Sequence, residues 1–533
     1  MTGPSLSAGE KPDLPGFILW VLSAVAAVFF IFFGIAHTFG MDEACSVHIA
    51  IGSPSQIVRN ISENSHTPPL YYFLLAGWMK LFGIGEVATR ILSGLFFILS
   101  LPAIYALGRR LYDPKTGALG AFLYLISPIA IGQSQNARMY SLLGFLTILS
   151  LLYFFKLVNA KSPRKWDGVL YAAATAAGIF THYWFFFVVA SQVATTLLLF
   201  RGPSLKWIGA AVAAAGLSFL PWVPSLLKQM ANGGAYWWIP KPDALLFFSS
   251  FLGFYGGGKQ GLPVFAAFLF LVLLSFHNFK PRLASLVSLK RFLAQKNTLS
   301  LVLLSAIALL IPLLISLEKP IFAPNKYTVI ALPPFALFVA ALLSRFGSQI
   351  LVLVFCYALL GTVVAAYAHR KTRFHEHTDQ STADYLIKHA ADGDVLLFAG
   401  ASRSALEYYL RLRKPPKSFV KLSFPVEMAA HPCWMNREDT LSRLPLLTRE
   451  ADSLAAALDS ALVRKERKVW LIYGFYGEID GAIRAGLDRR FQLLQEKNLE
   501  NAYYTFYKKI AVFQKPRVHS FHQPTTPQKK QNH

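Results

Sequence analysis

Cysteine is scarce in this 533-residue chain: Cys45, Cys356 and Cys433 are the only three, and none forms a Cys-x-x-Cys pair. That argues against a thiolate zinc or iron–sulfur centre. Acidic residues are also few, 28 Asp and Glu against 52 Lys and Arg, for a formal net charge of +24. Such a charge could suit nucleic acid, but no RNA- or DNA-binding signature accompanies it. Lys and Arg collected in cytoplasmic loops explain it better. No small-residue cleavage site follows the first apolar run, so 17–39 reads as a retained span and not a cleaved signal. No internal repeat stands out.

Apolar residues are abundant instead. They make up 54% of the chain, and the mean hydropathy is +0.42. Runs of roughly 17–25 apolar residues recur, each long enough to cross a hydrocarbon core of about 30 Å. They predict spans near 17–38, 87–108, 114–131, 137–157, 167–182, 183–200, 206–226, 262–277, 298–316, 327–343 and 349–367. The patch at 245–254 could add a half-span. The expected fold class is therefore an α-helical polytopic membrane protein of about eleven transmembrane helices, with a small extracytoplasmic α/β C-terminal domain. Residues 1–15 would be a cytoplasmic tail, 16–368 the membrane domain, with its first outside loop at 39–67, 369–515 the soluble domain and 516–533 a disordered tail. In the last part "DVLLFAG" and "KVWLIYGF" read as strands, and "LSRLPLLTREADSLAAALDSALVRK" as helix. With the N-terminus inside, the inside loops hold fifteen Lys and Arg and the outside loops six. The bias favours that orientation.

The chemistry-bearing residues then gather on the outer side. "MDEACSVHIA" follows the first span and carries Asp42 and Glu43. Residues 44–61 read as a short amphipathic helix lying along the interface. In "HTPPLYYFLL", Thr67 predicts an N-cap and Pro68 the first residue of a helix, with Pro69 tolerated where helical N–H groups lack partners anyway. The prolines read as structural, aiming His66 and the helix end. Arg138 and Tyr140 stand at the outer start of a span, where Arg could simply snorkel. His182 sits in the tight turn "THYW", where a hydrogen-bonded structural role is the simpler reading. Lys326 and Tyr327 mark another outer end. Ionisable residues from separate segments near one membrane face point to a functional site. The mixture suits a base for an acceptor and cations, or a metal, for a phosphate.

As an ordered set, "MDEA", "HTPPLYYFLLAGWMKLFG", "ATRILSGLFFILSLPAIYALGRRLYD", "GQSQNARMYSLL", "THYW" and "NKYTVIALPP" resemble the bacterial branch of the protein O-mannosyltransferase superfamily. That branch of C-type glycosyltransferases includes the aminoarabinose transferase acting on lipid A and the lipopolysaccharide galacturonosyltransferases. The resemblance covers about 15–345. It implies a cell-envelope enzyme in the inner membrane whose donor is a polyprenyl-phosphate sugar and whose acceptor is a lipid, glycan or protein. No nucleic acid takes part. Asp42 would activate the acceptor, with Glu43 beside it as a second catalytic candidate or a structural neighbour. His66 falls where some relatives have Glu, and Thr67 replaces a phosphate-binding Lys, so Arg138, Lys326 and Tyr327 become the candidates for the phosphate. No cofactor is certain. His66 and His182 could share a divalent metal, but two ligands are too few for a site.

The expected reaction is attack of an acceptor hydroxyl on the anomeric carbon, assisted by Asp42, with polyprenyl phosphate leaving and the centre inverted. Asp as base calls for partial desolvation, which raises its pKa. Three other classes remain: a ligase or polymerase of polyprenyl-linked oligosaccharides, a lipid or sugar transporter with its polar residues at the midplane, and a scaffold for the C-terminal domain. Cys45 and Cys433 fall on the outer side, where a bridge is permitted. Without a distance, two free thiols are the simpler expectation.

Overall fold

The computed structural model describes residues 21, 23–28, 34–64, 67–231, 239, 241–256, 290–324, 326–345, 379–429, 433, 437–462, 467–474, 476–500 and 507–514. Among these, four helices are long and apolar enough to cross a bilayer: Glu86–Leu111, Tyr140–Val158, Pro203–Met230 and Lys296–Ser316. A fifth candidate is the pair Pro114–Leu125 and Pro128–Ser134, which meet at 62°. The chain is thus helical with several apolar spans. The expected eleven are not reached among the described residues. The runs at 262–277 and 349–367, and most of 17–38, lie outside them. Others, such as Phe185–Leu199 and Leu332–Leu343, are shorter apolar helices.

The bend in the expected span 114–131 has a local cause. Pro128 lacks an N–H and cannot continue the preceding helix. Ser127 Oγ donates instead to the carbonyl of Phe254, at 2.7 Å. The same helix packs closely on Glu86–Leu111: a Cβ on Gly108 would lie 2.7 Å from Gly117 Cα. Small residues at such crossings let backbones approach, which is how helices associate where lipid supplies no hydrophobic drive.

Two expectations for the first loop change. The single helix at 44–61 is two, Met41–Ala50 and Pro54–Asn64. Gly52, at φ +130, and Pro54 break it. The next helix runs Leu70–Phe82, with Pro69 at the N-cap and no side-chain cap. Thr67 does not cap it; its hydroxyl pairs with that of Tyr72 at 3.1 Å. Both prolines are buried at this entry. His66 lies outside the described residues.

Residues 379–514 contain a five-stranded sheet. In chain order the strands are β1 Val395–Ala399, β2 Val420–Phe424, β3 Val469–Tyr473, β4 Gln492–Glu500 and β5 Tyr507–Gln514. Their order across the sheet is β2-β1-β3-β5-β4. β1 pairs parallel with β2 and β3, while β5 pairs antiparallel with β3 and β4. β1 and β3 are buried along their whole length, hence their unbroken apolar sequence. Asp394 ties their starts together, accepting from Ala391 N, Lys468 N and Trp470 Nε1.

The helix Arg403–Arg413 of this unit leans on the first loop. Tyr409 Oη accepts from Phe39 N at 2.6 Å and donates to Glu86 at 2.6 Å. Tyr408 donates to Ile84 O, and its ring lies 4.6 Å from that of Phe39. The sheet unit is therefore held against the segment that presents Asp42 and Glu43.

Candidate active site

Asp42 and Glu43 begin the helix Met41–Ala50, but their carboxylates enter different surroundings. Glu43 is buried. Its Oε1 accepts from Arg90 Nε at 2.7 Å and Ala137 N at 2.9 Å. Its Oε2 accepts from Arg90 Nη2 at 2.7 Å and from Gly40 N at 3.3 Å. Arg90 is fully buried and also donates to the carbonyls of Ile35, His37 and Thr38. One guanidinium thus ties the end of the first apolar segment, the first-loop helix and the helix Glu86–Leu111. Bidentate pairing satisfies both charges away from water. Sequence reasoning passed over Arg90. The available signal was an Arg inside the apolar run "ATRILSGLFF", where a buried cation calls for a carboxylate partner.

Asp42 faces Lys326 instead. Oδ2 lies 3.0 Å from Nζ, across 284 positions of sequence. The two side chains are 38% and 37% exposed, so a solute can reach the pair. Lys326 stands just before the short 3-10 turn Tyr327–Ile330, which leads into Leu332–Leu343. Lys326 holds the Asp42 carboxyl well below the usual carboxylate range; burial opposes this, and Arg138 adds to it. The sequence suggested the reverse, a carboxyl made more basic by desolvation. Here attraction to adjacent cations outweighs burial.

Arg138 reaches the same helix from the turn before Tyr140–Val158. Its Nη1 donates to Asp42 O at 3.1 Å and Ser46 Oγ at 3.2 Å. Its Nε is buried without a partner among the described residues. Its guanidinium lies 5.9 Å from the Tyr140 ring centre. That ring begins an aromatic cluster: Tyr140 to Tyr327 is 5.9 Å, His182 to Tyr327 5.0 Å, and Trp184 to Tyr327 5.1 Å.

His182 lies in the turn between Lys165–Thr181 and Phe185–Leu199. Burial pushes its pKa down to about 3, with Arg138 adding to the effect, so the ring is neutral near pH 7. Its Nδ1 accepts from Trp184 N at 3.1 Å. The neutral ring then carries its proton on Nε2, and neither nitrogen keeps a free lone pair for a metal. Among the described residues no group of three His, Cys, Asp or Glu side chains could hold a metal ion.

The structure therefore gathers Asp42, Arg138, His182, Lys326 and Tyr327 from four separate segments. It turns Glu43 away from that group. The cluster lies in the first-loop helix, in two turns and at a helix entry. A carboxylate next to an ammonium and a guanidinium, over aromatic rings, offers a proton acceptor, two anion contacts and a stacking surface.

Comparison with known proteins shows what this fold and cluster resemble. The profile of the dolichyl-phosphate-mannose-protein mannosyltransferase family matches residues 66–228. The chain is 31% identical over 178 residues to the undecaprenyl phosphate-α-4-amino-4-deoxy-L-arabinose arabinosyl transferase of Pseudomonas aeruginosa. That match spans 32% of each protein, about a third of the relative's length. The structure of ArnT from Cupriavidus metallidurans bound to undecaprenyl phosphate superposes with a TM-score of 0.60 at 12% identity, covering 96% of this chain and all of the other. The Archaeoglobus fulgidus oligosaccharyltransferase matches with a TM-score of 0.52 at 11% identity, covering 90% of this chain and 72% of the other. These two likenesses establish the fold.

Proposed function

We propose that the protein is a membrane glycosyltransferase that moves a sugar from a polyprenyl-phosphate donor to a hydroxyl acceptor on the extracytoplasmic face. The observation that carries this reading is the Asp42–Lys326 contact at 3.0 Å, half open to solvent and flanked by Arg138. The aminoarabinose transferase relatives make undecaprenyl phosphate the first carrier to test. The fuller topology, about eleven spans with the N-terminus inside and the sheet unit outside, rests on the loop charges.

In the mechanism, the donor phosphate draws Lys326 away from Asp42. That removes the main cause of the lowered Asp42 pKa, and the carboxylate becomes a better proton acceptor as the hydroxyl arrives. The hydroxyl loses its proton to Asp42 and attacks the anomeric carbon, and the bond to the phosphate oxygen breaks with inversion. Lys326, Arg138 and Tyr327 face the charge that develops on the leaving phosphate, the kind of contact that stabilises a transition state. Glu43, with both oxygens engaged, positions the loop and moves no proton. Pro68 and Pro69 set the entry of the next helix.

A transporter would place such groups midway along its spans; these lie in a loop helix, turns and a helix entry. An oligosaccharide donor remains the second reading, because the fold is shared with an oligosaccharyltransferase. The protein in lipid vesicles is expected to consume undecaprenyl-phosphate aminoarabinose in the presence of lipid A and release undecaprenyl phosphate. If that donor is inert, mass spectrometry of lipid-linked sugars accumulating in a deletion strain names the right one. Accumulation of none overturns the transferase reading.

A further inference from the structure

The first-loop helix also carries a cysteine. Cys45 follows Asp42 by three residues, so the two lie on adjoining parts of the helix surface. Cys45 is 5% exposed. Its Sγ lies 3.9 Å from the backbone oxygen of Cys433, which is 388 positions away in the sheet unit. Both thiols are free. The third cysteine, Cys356, falls in the apolar run 349–367, so the two thiols outside the apolar runs are the two in contact. Burial, reinforced by the Cys45 thiol, pushes the Cys433 pKa up. A thiol of this kind reacts slowly unless exchange is catalysed.

We propose that Cys45 and Cys433 are joined by a disulfide that fastens the sheet unit across the helix presenting Asp42. In forming it each thiol releases a proton and one S–S bond is made. The two electrons pass to the disulfide of an extracytoplasmic thiol oxidase, which leaves as a dithiol. The proposal rests on the extracytoplasmic side assigned above, the compartment in which disulfides persist. The bridge adds a covalent tie to the contacts of Tyr408 and Tyr409 on the same segment. It keeps the sheet unit beside Asp42 through turnover, so an acceptor has to enter without lifting that unit from the loop.

The test is peptide mapping of the full-length protein, extracted from membranes with an alkylating agent and no reductant. A Cys45–Cys433 peptide pair that disappears on reduction is expected; alkylation of both thiols without prior reduction overturns the bridge. Melting supplies a second readout. Reductant is expected to lower the melting temperature of the wild type by a few degrees and to leave Cys433→Ser unmoved. Equal shifts in the two proteins, or a shift in neither, overturn it. Neither readout uses sugar transfer, so this proposal and the transferase reading fail separately.

Discussion

Two neighbouring carboxylates occupy opposite kinds of region. Around Glu43 every hydrogen-bonding position is taken, by Arg90, Gly40 and Ala137, and water is excluded. Around the Asp42 carboxylate the ion-pair partner among the described residues is Lys326, which solvent also reaches. A fully satisfied buried pair has nothing left to offer a substrate, and removing one partner leaves an uncompensated charge. A half-exposed pair can exchange its partner for a ligand at modest cost. The first arrangement builds the loop; the second can do chemistry on it. Sequence adjacency hid this, because successive helical positions point about 100° apart.

The largest expected effect is on Asp42. Asp42→Asn should reduce sugar transfer by about 10²–10⁴-fold, the usual worth of a general base, with the melting temperature little changed. Turnover is measured in vesicles alongside a thermal melt. Near-normal turnover in a well-folded variant would remove Asp42 from the chemistry and erase the contrast with Glu43.

Arg90→Ala should act the other way round. It leaves Glu43 buried and unpaired, at roughly 3–5 kcal/mol of stability. Yield and melting temperature should fall together, and activity should fall with the folded fraction. Glu43→Gln should follow Arg90→Ala in kind. If Glu43→Gln instead keeps a wild-type melt and loses turnover, Glu43 belongs with Asp42 and the comparison is wrong.

Lys326→Ala tests the exchangeable partner. A buried cation facing phosphate costs roughly 2–5 kcal/mol when truncated, and Lys326 is partly exposed, so the lower end applies: about 30-fold weaker donor binding. Titration with undecaprenyl phosphate reads it. Arg138→Ala should weaken donor binding as well and also lower the melt, because Arg138 Nη1 holds Asp42 O and Ser46 Oγ. Unchanged donor affinity in both variants would assign the phosphate to other groups.

Much of this was legible before any coordinates. Long apolar runs gave the helices Glu86–Leu111, Tyr140–Val158 and Lys296–Ser316 within a few residues. "DVLLFAG" and "KVWLIYGF" are continuous apolar runs because β1 and β3 are covered on both faces. β4, "QLLQEKNLE", escaped notice because an edge strand is polar and largely exposed. The gathering of Asp42, Arg138, His182 and Lys326 could be inferred only as residence on one membrane face. The partners could not be read, since a 3.0 Å contact between positions 42 and 326 leaves no trace in local spacing. The Asp42 pKa went the wrong way for the same reason: burial can be guessed from apolar neighbours, but an opposing cation has to be located.

The smallest expected effect is of pH, and it separates the two parts of the site. The folded pKa of Asp42 lies below its unfolded value. Such a group contributes stability above the unfolded pKa, near 3.9, and loses it as pH falls through the lower folded value. Nothing from Asp42 should therefore change between pH 5 and 8. His182 has the opposite consequence in that window. Its pKa falls from about 6.5 unfolded to about 3 folded, so between these values the unfolded chain binds the extra proton. Stability should then decline as pH drops below about 6.5, by under about 2 kcal/mol at pH 5, since one pKa unit corresponds to 1.36 kcal/mol. The expected result is a melting temperature that slopes downward from pH 7 to pH 5 in the wild type and flattens in His182→Gln. Measured as kcat/KM, which reports the free protein, activity should show no acid limb from Asp42 over the same range. In Lys326→Ala the main cause of the lowered Asp42 pKa is gone, so an acid limb should move up toward the ordinary carboxylate range. If kcat/KM of the wild type, which reports the free protein, already shows that limb, the Asp42–Lys326 pair is not formed at rest.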